Sequence, residues 1–276
     1  MMLDQSLITR ALPPGSMRYF AWLYTPAAHR EVIAALFVIE AELHDSARAA
    51  HEVAHHRLQW WRDEIDQLIA GKARHPATQV LQTLAQKPID FQPLHSTLLS
   101  TAQELACATY ETDAELSRYL QDGLGNLLAT AMYYLSDHPS TTVIDAAKHL
   151  GAFIRQSEAL RDIRRDLHQG RLFLPLAQLD ALNIDYEALH SNEWPESFVQ
   201  LLKTRCAQAL RQLHTLQQGL LSEEKIVLRP LLVLAELHAA MLHTLSSDPI
   251  KYTQQRVDLS PLRKLWTAWR AARQAR

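Results

Sequence analysis

The chain has 276 residues, 47% of them hydrophobic, with 28 Lys and Arg against 30 Asp and Glu and a formal charge of -2. That is enough apolar material for a sizeable core in an ordinary soluble protein, and the near-neutral balance gives no overall attraction to nucleic acid. Two cysteines, Cys107 and Cys206, stand far apart, which excludes a disulfide framework and a cysteine zinc site and fits a reducing compartment. Asp4 and Arg10 interrupt the N-terminus where a secretory signal needs an apolar run, and Arg229 and Glu236 break the greasiest stretch, IVLRPLLVLAELHAAML. The expectation is a cytoplasmic protein without a membrane span, with membrane association at most peripheral.

Glycine is scarce, seven in all, and apolar residues recur at three- and four-residue steps, the pattern of long amphipathic helices. Helices are expected over roughly 28–70, 75–108, 112–136, 140–168, 195–219, 223–247 and 260–274. The breaks fall at Pro13-Pro14-Gly15, at 71–76, 88–93, 137–140, 170–175 and 192–195, and at Asp248-Pro249. None is long enough for an interdomain linker, so one all-α domain spanning 1–276 is the economical reading.

In the first helical stretch His51, Glu52 and His55 spell HEVAH, a zinc-peptidase pattern when it lies on a buried helix. With 14 histidines in the chain, and His56 and Arg57 following where apolar neighbours belong, the match reads as chance. His44, Arg48, His51 and His55 fall at i, i+4, i+7 and i+11, one helical face of basic groups able to meet a phosphate or simply to face solvent. Leu58, Trp61, Ile65 and Leu68 form a core-type stripe beside Trp60.

Further on, Glu158, Asp162 and Asp166 make a carboxylate ladder at i, i+4 and i+8, with Arg161 and Arg165 interleaved. The ladder has two readings. One is a solvated, salt-bridged surface; the other is a hard-cation site, since Mg2+ takes one or two carboxylates together with a substrate's phosphate oxygens, which adjacent arginines also grip. The C-terminal LRKLWTAWRAARQAR is aromatic on one side and basic elsewhere, a capping helix or a contact with an anionic membrane.

These segments together carry a resemblance. GAFIRQSEALRDIRRDLHQGRLFLP resembles the second aspartate-rich motif of the squalene and phytoene synthase family and the turn that follows it. RLQWWRDEI is similar to the segment after its first motif, DAELSRYLQDGLGNLL to its central helix and QQRVDLSPLRKLWTAW to its C-terminal helix. The resemblance implies an isoprenoid synthase helical bundle around a central apolar cavity. It also implies Mg2+-dependent head-to-head joining of prenyl diphosphates, with NADPH where squalene is formed. Carried over, it makes Asp162 and Asp166 metal-binding and catalytic, Glu158 and Asp45 further metal ligands, and Arg161 and Arg165 diphosphate contacts. Tyr119 becomes a cavity tyrosine with a catalytic role and Phe37 a substrate contact.

The chain departs from the family pattern at FVIEAELHDSAR, Phe37 to Arg48, the segment matching the first motif. Asp45 keeps the second aspartate, but His44 and Arg48 stand where acids belong, Ala41 replaces an arginine, and Gln121 replaces a tyrosine-like position. A cation cluster spanning two helices cannot form on a histidine and an arginine. Two functions are therefore expected side by side. One is a Mg2+-dependent prenyltransferase, or a prenyl-diphosphate-processing variant in which His44 and Arg48 grip phosphate directly while Glu158, Asp162 and Asp166 hold the metal. The other is a non-catalytic isoprenoid binder or respiratory-complex assembly factor acting through a protein partner, as in a branch that shares Glu40.

Overall fold

A computed structural model describes residues 3–106, 109–191, 193–248 and 256–275, so Cys107 lies outside the described residues. The helices are α1 Gln5–Ala11, α2 Met17–Leu23, α3 Arg30–Ala47, α4 His51–Ile69, α5 Pro76–Leu84, α6 Pro93–Leu105 and α7 Asp113–Leu120. They continue as α8 Asn126–Leu135, α9 Thr141–His168, α10 Leu176–Ala181, α11 Glu196–Gly219, α12 Ser222–Ser247 and α13 Pro261–Gln274. There is no strand among the described residues; an isolated bridge pairs Tyr110 with Pro175. Local chemistry sets several starts: Ser16, Thr112, Ser140 and Ser260 each accept a backbone N–H of the first turn, and proline opens α5, α6 and α13.

The last four expected helices agree with α9, α11, α12 and α13 to within a residue or so, while the earlier ones divide. The expected helix 28–70 breaks after Ala47 although no glycine or proline stands at 48–50, and Ala50 starts α4 without a side-chain cap. The break is tertiary in origin. It lets α3 bury Leu36, Ile39 and Leu43 while α4 buries Ala54, Leu58, Trp61 and Ile65. The proposed single face of His44, Arg48, His51 and His55 is accordingly cut in two. His51 and His55 sit exposed at the start of α4 with their Nε2 atoms 3.1 Å apart.

Between α7 and α8 the chain makes a π-helical turn, Gln121–Gly125, where it crosses α9 at close range. A Cβ on Gly151 would lie 2.7 Å from Gly125 Cα, and one on Gly125 would lie 2.8 Å from Lys148 O, so this crossing requires both glycines. At the C-terminal end of α9, Gly170 takes a positive φ of 72° and Arg171 N–H donates to Asp166 O at 2.8 Å, closing the helix. The segment that follows then docks through Leu176 N–H to Tyr110 O at 2.8 Å.

The main core cluster runs from Leu3 to Ala275, with α9 and α12 packed against each other in it. α12 is long and apolar enough to cross a membrane by length and composition, but 67% of that window is buried inside the bundle. A smaller cluster of Tyr110, Tyr119 and Phe173, with Tyr119 and Phe173 stacked at 5.4 Å, lies beneath the acidic half of α9.

Candidate functional site

The carboxylate ladder of α9 is neither solvated nor bare. Asp162 is buried and takes Arg161 Nε and Nη2 at 2.9 and 2.8 Å, Arg256 Nε and Nη2 at 2.7 and 3.2 Å, and Arg165 Nη2 at 3.1 Å. Burial raises its pKa, but the Arg161 and Arg256 guanidinium groups outweigh that and hold it at about 2. Asp166 is more deeply buried. Arg165 reaches its Oδ1 at 3.1 Å while Oδ2 has no hydrogen-bond partner, and desolvation leaves its pKa raised. Glu158 accepts from Arg18 Nη2 at 3.0 Å and lies 3.7 Å from His238 Nε2.

Arg18, on α2, reaches into the space between α9 and α3 and bridges them. It donates to Glu158 on one side and through Nη1 and Nη2 to Glu40 on the other, the Nη2 bond being 2.9 Å. His44, one turn along α3, lies 3.6 Å from Glu40 Oε1 and 3.1 Å from Glu104 Oε2. Burial opposes protonation of His44, but Glu104 and Glu40 outweigh it and raise its pKa to about 9. Glu104 also accepts from Arg155 Nη2 at 2.9 Å and from Tyr119 OH at 2.5 Å. A chain of buried, alternating charges thus joins α2, α3, α6, α7 and α9, and burial of each member is compensated by its neighbours.

Above this network lies a cleft of about 470 Å³ that brings together His44, Asp45, Arg48, Glu158, Arg161, Asp162 and Arg165. Eight arginine and lysine side chains line it against five carboxylates, so the cleft is cationic even before His44 is counted. Arg48 is exposed at its rim and makes no ion pair among the described residues. Below Arg18, whose guanidinium sits 5.2 Å from the centroid of the Phe37 ring, a narrow apolar pocket lined by Trp22, Ile33, Phe37 and Leu231 holds about 10 Å³, the space of roughly one water.

These residues do not fit a divalent cation held between the two helices. Glu158 is locked by Arg18, Asp162 carries three guanidinium groups, and the bare oxygen of Asp166 is not among the groups lining the cleft. Across the cleft, Asp45 is half exposed and paired with Arg10 at 3.3 Å. The expected ligand set of Glu158, Asp162, Asp166 and Asp45 is therefore not assembled, and no group of three such ligands stands together among the described residues. The physical reason is occupancy: Arg18 already fills the position between the acids with a fixed positive charge, and a Mg2+ there would face it.

The squalene/phytoene synthase family model matches residues 14–263. The chain belongs to this family. It is 25% identical over 217 residues to the 15-cis-phytoene synthase of Synechocystis sp., covering 73% of this chain and 64% of that enzyme, just under two thirds of its length. To the phytoene synthase of Arthrospira platensis it is 26% identical, covering 72% of this chain and 69% of that one. Among solved structures, a dehydrosqualene synthase superposes with a TM-score of 0.84 over 98% of this chain and 96% of its own, at 16% identity. The squalene synthase HpnC from Alicyclobacillus acidocaldarius superposes at 0.73 over 90% and 94%, also at 16% identity. The all-α isoprenoid synthase fold follows from these superpositions.

Within this family framework the structure groups the sequence-derived candidates unevenly. Arg161, Arg165, Asp162, Glu158, His44 and Arg48 share the cleft; Phe37 lies beneath it, and Tyr119 is buried behind it on Glu104 and Arg155. Sequence reading missed Arg18, Glu104, Arg155 and Arg256. Arg155 stands three residues before Glu158 on the same helix and was within reach of a helical-face count. Arg18 carries no such signal, because its role depends on where a seven-residue helix docks.

Proposed function

We propose that this protein handles prenyl diphosphates in isoprenoid biosynthesis, as its family does, and that it grips the diphosphate directly on its own guanidinium groups. The observation that carries the reading is the cationic excess of the cleft, in which Arg48 makes no ion pair among the described residues while Arg165 and Arg256 reach it from partly exposed positions. Guanidinium forks match phosphate oxygens bidentately, and in a cleft walled by protein they stabilise charge developing on a leaving diphosphate. In head-to-head transfer the allylic carbon–oxygen bond breaks and its electron pair leaves with the diphosphate; the double bond of the second prenyl unit supplies the pair for the new carbon–carbon bond, and that unit then loses a proton. Arg48, Arg165 and Arg256 are the residues placed to hold that leaving group. Asp162 acts as a positioning residue, orienting Arg161, Arg165 and Arg256.

A second reading, an isoprenoid-binding protein without turnover, is favoured by Arg18. Its guanidinium, tied to both Glu40 and Glu158, lies between the cleft and the narrow apolar pocket beneath it, which has room for about one water rather than for a prenyl tail. Calorimetric titration with farnesyl or geranylgeranyl diphosphate tests the diphosphate grip, and pyrophosphate release separates the two readings. Binding is expected to survive EDTA with little change and to weaken with rising salt. Binding that appears only with Mg2+ overturns direct gripping. Tight binding without pyrophosphate release assigns the non-catalytic reading.

A further inference from the structure

α13 buries one face and leaves a second apolar face uncovered. Lys264, Ala268, Ala271 and Ala272 point inward, and the helix packs on α12 and α2. Leu262, Leu265, Trp266 and Trp269, at i, i+3, i+4 and i+7, form a continuous stripe on the outside, with Leu262 80% and Trp266 60% exposed. The two indoles stack at 5.0 Å, so the stripe presents a broad aromatic surface rather than scattered side chains.

The charge around the stripe is one-sided. α13 contains no acidic residue, while Arg263, Arg270 and Arg273 are exposed along it, and Arg273 lies 4.8 Å from the Trp269 ring centroid. The protein as a whole carries -2, so this is a local basic and aromatic patch on a slightly acidic molecule. Indole rings favour the boundary between water and acyl chains, and arginines beside them add attraction to anionic headgroups. An anionic bilayer surface uses both features along one helix, the indoles at the acyl boundary and the arginines at the headgroups.

The position of the helix adds a further reason. Lys264, on its inner face, donates to Gly15 O at 3.0 Å and to Asp258 at 2.6 Å, and all three segments belong to the rim of the cationic cleft. We infer that α13 docks this protein on an anionic lipid surface through Leu262, Leu265, Trp266 and Trp269, with the mouth of the diphosphate cleft beside the bilayer. A ligand with a buried prenyl chain and a headgroup at the interface then needs to move only sideways to reach it.

Co-sedimentation of the full-length protein with vesicles of phosphatidylglycerol and phosphatidylcholine, against phosphatidylcholine alone, tests the inference. Binding is expected on the anionic vesicles, with at least tenfold less on the neutral ones and a decline as salt is raised. Leu262→Glu with Trp266→Glu should abolish it without changing the melting curve, since both side chains are exposed in the free protein. Arg270→Gln, which alters no packing, should weaken it several-fold. Equal binding to both vesicle types, or retention of binding by the double variant, overturns the inference. A concentration-dependent dimer in sedimentation velocity that the double variant loses would assign the stripe to a second copy of the chain instead.

Discussion

The α9 face and the α3 face of the cleft both carry acids, yet they differ in the cations that neutralise them. α9 presents Glu158 and Asp162 among Arg155, Arg161 and Arg165, whereas α3 presents Glu40 and Asp45 with His44, which Glu104 and Glu40 hold protonated against its burial, and with Arg48, which makes no ion pair among the described residues. Facing acids on both sides would repel and call for an external cation. Here the cation is internal: Arg18 closes the gap between Glu40 and Glu158, and His44 closes the gap between Glu40 and Glu104. The comparison teaches that losing acids from one wall does not leave a defective metal site. It leaves a different electrostatic solution in which the protein supplies the positive charge.

Removing the internal cation has the largest expected effect. Arg18→Ala leaves Glu40 and Glu158 buried against each other, and stripping one partner from a buried ion pair costs about 3–5 kcal/mol. Urea denaturation measures this, and a loss below about 1 kcal/mol would show that α3 and α9 are not joined through Arg18.

The next effect is read in pH. His44 has a folded pKa of about 9 against an ordinary 6.5, so its contribution is complete below pH 6.5 and is lost as pH rises through about 9. A shift of that size corresponds to about 3 kcal/mol. Denaturation midpoints should fall across that window in the native protein and stay flatter in His44→Gln. Parallel curves would break the assignment of His44 as the second internal cation.

How much of this was readable in advance depends on the range of the interaction. α9 was legible because its 28 residues contain no proline and a single glycine, Gly151, and Ser140 and Gly170 mark its ends. The ladder was legible for the same reason, since helical spacing alone puts Glu158, Asp162 and Asp166 on one face. The resemblance gave the family and flagged His44 and Arg48 as foreign to its first motif. What spacing could not give was the partner of each charge. Arg18 lies 140 residues from Glu158, Glu104 lies 60 from His44, and Arg256 lies 94 from Asp162. The break after Ala47 was hidden likewise, because packing and no local residue imposes it.

Arg48 and Arg165 sharpen the comparison at the level of binding. Arg48 has no ion pair to lose among the described residues, so Arg48→Ala should leave stability unchanged while weakening prenyl diphosphate binding about tenfold, or roughly 1.4 kcal/mol. Arg165→Ala should weaken binding and also destabilise the protein, because Asp162 and Asp166 lose a shared partner. Titration calorimetry beside thermal melts separates the two. Equal stability losses for both variants would contradict a free cation on the α3 side.

The smallest expected effect discriminates most sharply between the two chemistries. Asp45 is the one acid of the α3 wall aligned with the family's first motif, so a bridging metal depends on it. In the structure it is half exposed and paired only loosely with Arg10, at 3.3 Å. An exposed pair of this kind contributes about 0–1 kcal/mol, so Asp45→Asn should move stability by less than about 0.5 kcal/mol. It also removes a negative charge from the cleft proposed to grip the diphosphate, so diphosphate affinity should stay level or tighten, with or without Mg2+. A tenfold loss of affinity confined to Mg2+-containing buffer would make Asp45 a metal ligand and return both walls to the same chemistry.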